Sequence, residues 1–253
     1  MLTARLVHRV TLTLAFALAL APVPVRAELE FSVYGGPQTT HPSTIRSPTL
    51  GNDKVNWRSE PFVIPTYYGL RAKWWSDRRI GVGLDFVHYK AFADDPAKYG
   101  YEELNFSHGL NALTVDLWYR ANPMGKVTPY FGAGLGVVVP HVEAEPIGLE
   151  PTANYQIAGP AVTVVFGASM PLKGNWSVFS EYKATYVDIR AKPDTGDRLN
   201  TDMFADALNL GFGLRFYTGA HAFGCVATID GRCAKLAAHA ASFGRPVRHC
   251  RAS

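Results

Sequence analysis

TPYFGAGLGVVVPHVEAE, residues 128–145, decides the fold. Read in steps of two, Phe131, Ala133, Leu135, Val137 and Val139 fall on one side, and Tyr130, Gly132, Gly134, Gly136 and Val138 on the other. That is the period of a β-strand, whose successive side chains point to opposite faces. One face is continuously apolar and the other is stripped to glycine. A soluble sandwich would leave its core empty with three glycines facing inward. A small closed barrel needs that room, because bulky and charged side chains from facing strands must fit inside it. The character changes at Pro140-His141-Val142-Glu143, after about ten residues, the length a tilted strand needs to cross a bilayer. The stretch therefore reads as one wall of a transmembrane barrel, with its polar end emerging near the membrane surface.

The beginning of the chain agrees with a membrane destination. Arg5 and Arg9 precede an apolar run over residues 10–21, and Val25-Arg26-Ala27 has the form of a signal-peptidase site. Residues 1–27 are expected to be a cleaved secretory signal, with the mature chain starting at Glu28. No stretch approaches eighteen consecutive apolar residues, so the sequence offers no helical span. The chain carries 25 Lys+Arg and 21 Asp+Glu. Arg5, Arg9 and Arg26 belong to the signal, and Arg232, Lys235, Arg245, Arg248, Arg251 and Asp230 to the tail. Without them 17 basic residues face 20 acidic ones, a net of −3 over residues 28–216. No basic patch of the kind that binds nucleic acid is left.

Eight strands are predicted in the mature chain, at 28–36, 62–75, 80–93, 106–120, 128–145, 155–170, 175–190 and 205–216. The connections 76–79, 121–127 and 171–174 are short, whereas 37–61, 94–105, 144–154 and 191–204 are long. Alternating short and long connections are the pattern of outer-membrane barrels, with short periplasmic turns and long outer loops. The expected fold is an all-β, eight-stranded antiparallel transmembrane barrel. It would sit in the outer membrane of a Gram-negative bacterium, with both termini periplasmic and the long loops extracellular. Its interior would receive Arg71, Lys73, Asp85, Asp116, Arg120, Glu181, Lys183 and Arg215, and would be filled rather than open. Residues 217–253 hold Cys225, Cys233 and Cys250. They show no strand alternation and are expected to be a disordered extension.

Chemistry has few places to sit in such a chain. Gly132, Gly134 and Gly136 lie inside a strand with no helix after them, so they cannot cradle a phosphate. His88 continues the lipid-facing series Leu84, Phe86, and His141 and Glu143 continue that of residues 131–139. Hairpin pairing sets His88 opposite about Leu110, beside Gly109 and Asn111, and brings His141 near Ser107. Imidazoles and a carboxylate together form a plausible divalent-metal or acid/base set. The site expected from this geometry is His88, His141 and Glu143, as catalytic and metal-binding residues, with Asn111 and Lys90 toward the substrate. Lys98 in the adjoining loop is a second candidate for a phosphate. A bulge near Pro140 would instead turn His141 inward.

Longer stretches carry a resemblance. EFSVYGGPQT (30–39), YYGLRAKWW (67–75), GLDFVHYK (83–90), TPYFGAGLGVVVPHV (128–142), YQIAGP (155–160) and LNLG (208–211) resemble the lipid A oxidases of rhizobial outer membranes. The likeness spans residues 28–216 and omits the tail. It implies oxidation of the proximal glucosamine of lipid A to 2-aminogluconate by molecular oxygen, with release of hydrogen peroxide. It also implies a divalent metal ion, and lipopolysaccharide as the partner. Two other function classes fit the residues alone. One is a non-catalytic barrel acting as envelope anchor or adhesin. The other is a deacylase-type hydrolase, for which Ser107 and His141 form the nearest Ser/His pair.

Overall fold

The computed structural model describes residues 26–48, 51–64, 66–76, 79–148, 152–192 and 198–219, with 225–227 and 233–235 in the tail. The strands are β1 (Arg26–Gly35), β2 (Gln38–Thr40), β3 (Ser43–Ser47), β4 (Gly51–Val55), β5 (Trp57–Arg58), β6 (Tyr68–Trp75) and β7 (Ile80–Ala93). They continue as β8 (Tyr101–Arg120), β9 (Thr128–Pro146), β10 (Thr152–Tyr155), β11 (Gly159–Pro171), β12 (Trp176–Ala191) and β13 (Leu199–Gly219). The wall runs β1-β6-β7-β8-β9-β11-β12-β13, every neighbour antiparallel. It closes where β1 pairs with β13, from Arg26↔Gly219 to Gly35↔Leu210. Closure removes the open edge, whose unpaired backbone groups would each cost several kcal/mol in lipid.

These eight wall strands are the predicted ones, with shifted bounds. The second is shorter than expected, beginning at Tyr68, and the sixth begins at Gly159 behind the separate β10. The first long connection was expected to be loop. Instead it holds β2 and β3, which pair with β13, β4, which pairs with β3, and β5, which pairs with β7. The short connections are tight turns at the end carrying both termini of the wall. Ser76 N–H donates to the Ile80 carbonyl and Leu172 N–H to that of Trp176, both at 2.8 Å. In the tail, Cys225–Ala227 and Cys233–Lys235 pair as two short strands, where none was expected. The expected signal peptide lies almost wholly outside the described residues.

Polarity is inverted relative to a water-soluble protein. Leu135 is 68% exposed and Leu210 60%, while Arg71, Lys73, Asp85, Glu181 and Lys183 are all but fully buried. Only a lipid surround makes that arrangement stable. The glycine face of β9 does what its pattern requires. A Cβ at Gly132 would meet the Trp118 ring at 2.5 Å, and one at Gly134 would strike the Asp116 carboxylate.

Inside, Arg71 donates to Asp85 at 2.6 Å and, through both terminal nitrogens, to Glu181 at 2.8 Å. Lys183 lies 3.0 Å from Asp85, and Tyr130 donates to Glu181 at 2.7 Å. Lys73 pairs with Glu30 at 2.8 Å, Arg120 with Glu28, and Arg215 with Glu30. Glu28 and Glu30 point inward with the residues expected there. They supply the acids that the expected inventory lacked, so the interior is nearly compensated and filled. That is what burial of charge demands.

Candidate functional site

β8 and β9 contain 20 and 19 residues. A strand crosses a bilayer in roughly 9–11. About half of each therefore stands beyond the apolar belt, at the end opposite the short turns. There the β8–β9 ladder is interrupted. Leu110 pairs with Pro140 and Asn105 with Glu143, so four residues of β8 face two of β9. From the other side, Tyr89 pairs with Leu110 and Ala91 with Phe106, so the same surplus faces Lys90. Gly109 takes φ +116° within this bulge. A Cβ there would collide with both Asn111 Oδ1 and His88 Nδ1. The bend needs glycine on both counts.

The bulge decides which side chains meet. Strict alternation would turn His108 into the barrel; instead it stands exposed on the outer surface. Its Nδ1 is 2.5 Å from Glu143 Oε1. His141 Nδ1 is 3.1 Å from the same oxygen but out of line for a hydrogen bond. One ligand atom from each of His108, His141 and Glu143 lies within 4.8 Å of the others. Tyr155 of β10 pairs with His141 in the ladder, sets its ring 4.4 Å from that imidazole, and donates to the His108 carbonyl at 3.2 Å. The cluster is thus held by three strands on the lipid side of the wall.

Of the residues expected at the site, His141 and Glu143 come together there, and both point outward. The alternative in which a bulge near Pro140 turns His141 inward does not hold, because the surplus residues lie on β8. His88 does not join them. It pairs with Asn111, one residue from the expected Leu110, and its Nδ1 is 2.8 Å from Asn111 Oδ1. Its ring stacks on Tyr68 at 5.2 Å and 22°. Lys90 is buried rather than presented to a ligand, its ammonium donating to the Val63 carbonyl at 2.8 Å. Lys98 is exposed in the short helical turn Pro96–Tyr99. The Ser107 side chain lies outside the described residues. His108 and Tyr155 were missed. The signal for His108 was a glycine, Gly109, inside a strand pattern, which marks a bulge and interrupts the alternation beside it.

A match to the family of outer membrane protein beta-barrel domains covers residues 10–216. The chain belongs to that family. This outer-membrane barrel is similar in fold to small barrels of known structure. Neisserial surface protein A is 16% identical, with TM-score 0.44 over 75% of this chain and 97% of that one. A major outer membrane protein from Thermus thermophilus is 14% identical, with TM-score 0.44 over 75% and 99%. The N-terminal β-barrel domain of Pseudomonas aeruginosa OprF is 13% identical, with TM-score 0.37 over 76% and 98%. No curated protein matches this outer-membrane barrel.

Proposed function

We propose that this outer-membrane barrel is an enzyme of the lipid surface, oxidising the proximal glucosamine of lipid A to 2-aminogluconate. The sugar's C1 carbon, as a free hemiacetal bearing no phosphate, gives up two electrons and two protons to molecular oxygen, and water opens the resulting lactone. The products are a carboxylic acid and hydrogen peroxide. In this reading the end bearing the short turns is periplasmic and the β8–β9 end faces the outside. The observation that carries it is the convergence of His108, His141 and Glu143 on the lipid side of the wall, just beyond the apolar belt.

The cluster fits the divalent metal that the resemblance implies. Two imidazoles and one carboxylate with an open side are the donor set of oxygen-using non-haem iron sites, and they also suit zinc. The misaligned His141 Nδ1 is a ligand atom that its own neighbours leave without a hydrogen bond. His108, His141 and Glu143 would hold the ion, whose contribution is Lewis acidity or oxygen activation. Tyr155 packs its ring on the His141 imidazole and its hydroxyl donates to the His108 backbone carbonyl. Glu143 is the carboxylate within reach of both, able to hold a proton released from the sugar hydroxyl.

Mass spectrometry of lipid A from cells with and without the protein tests the reading. A species heavier by one oxygen should appear only with it. Unchanged lipid A would favour the anchor or adhesin reading, and loss of an acyl chain the hydrolase.

A further inference from the structure

The lipid-facing wall around β1, β6 and β7 carries a second feature, apart from the His108 cluster. Around Ala72, a small residue on the lipid side, Phe31, Val33, Leu70, Leu84 and Phe86 line an open apolar depression of about 490 Å³ that continues to Phe212 of β13. Pairing stacks its rows: Phe31, Ala72 and Leu84 lie at one level, and Val33, Leu70, Phe86 and Leu113 at the next. The level above that is Tyr68, His88 and Asn111. Each level is two residues, roughly 6.6–6.8 Å, from the last.

His88 is 5% exposed, and its buried Nε2 has no hydrogen-bond partner among the described residues. Its chemistry is fixed by its neighbour. Asn111 Nδ2 donates to the Val139 carbonyl at 3.2 Å, so Asn111 Oδ1 faces His88. An amide oxygen only accepts, hence the neutral imidazole carries its hydrogen on Nδ1 and a bare lone pair on Nε2. A buried acceptor beside hydrocarbon is unfavourable until a donor reaches it. Tyr68, stacked on the ring and 36% exposed, stands between it and the lipid-facing side chains of the next level.

We propose that this wall is a seat for one acyl-chain lipid that carries an N–H or O–H donor at its polar linkage, such as an N-acylated sugar. The chain lies in the hollow over Ala72, and the linkage donates to His88 Nε2. His88 is a positioning residue here, selecting donor-bearing lipids over diester phospholipids, which offer no donor at that level. The seat goes beyond the proposed oxidation and needs neither metal nor the His108 cluster.

The test uses the full chain in phosphatidylcholine nanodiscs without added metal, titrated with N-tetradecanoyl glucosamine and read by native mass spectrometry. The bath lipid is itself the diester competitor. Wild type should retain the N-acyl lipid. His88→Phe keeps the ring stack but loses the acceptor and should bind about tenfold more weakly. His88→Gln, which can present a carbonyl oxygen, should recover part of that loss. Ala72→Phe, which fills the hollow, should also bind about tenfold more weakly. All are uncharged changes on the lipid face, where heat-modifiable gel mobility reports folding. Equal binding by His88→Phe and wild type, or by Ala72→Phe and wild type, would overturn the seat. Intact binding without lipid A oxidation in cells would count against the proposed function alone.

Discussion

Arg71 sits between Asp85 and Glu181 with no exposed side-chain surface on any of the three. Removing one partner from such a set strands the others, at about 3–5 kcal/mol. Arg71→Met should therefore lower the unfolding temperature in detergent sharply, while the double change with Glu181→Gln should recover part of the loss. On the outer surface the stake is activity, not stability. His108→Ala and His141→Ala should each bring lipid A oxidation to background while leaving heat-modifiable mobility unchanged. Prolonged chelation should do the same, with activity returning on addition of one divalent metal. If chelation leaves the rate untouched, the cluster is not a metal site. His141 and Glu143 were legible as outward residues because a strand's period of two holds along β9. His108 was not, because the two surplus residues of β8 break that period just before it. Glu28 and Glu30 were legible as one face of a strand, but that they complete the charge of the interior appears only once Lys73, Arg120 and Arg215 are seen to reach them.

Among the elements, the β8 bulge shapes the site most. Gly109 holds a positive φ and leaves no room for a Cβ between His88 and Asn111. Gly109→Ala should cost about 1–3 kcal/mol. It should also displace His108, so that activity falls further than stability does. Retained activity in a folded Gly109→Ala barrel would show that His108 need not be placed by the bulge. The remaining elements followed from alternation and turn chemistry, which is why the eight wall strands could be read from residues. The short strands β2 to β5 could not. Two to five residues of mixed polarity carry no period of their own, and they are strands only because the ends of β7 and β13 offer backbone partners to β2, β3 and β5, and β3 in turn to β4. Orientation belongs to this scale as well. An epitope inserted after Lys98 should be stained on intact cells, and one inserted after Gly125 only in permeabilised ones; the reverse pattern would place the cluster on the wrong side of the membrane.

For the whole molecule, an inverted surface and a compensated interior make the barrel a lipid-embedded, closed object, and that much follows from its sequence pattern. What it does depends on whether the rim of β8 and β9 acts on the lipid it touches. The decisive measurement is mass spectrometry of lipid A from otherwise identical cells expressing wild type or His141→Ala at equal levels in the outer membrane. The account predicts a lipid A species one oxygen heavier, carrying 2-aminogluconate, in wild-type cells and its absence in the variant. The same oxidised species at equal abundance in both, or in neither, would contradict it.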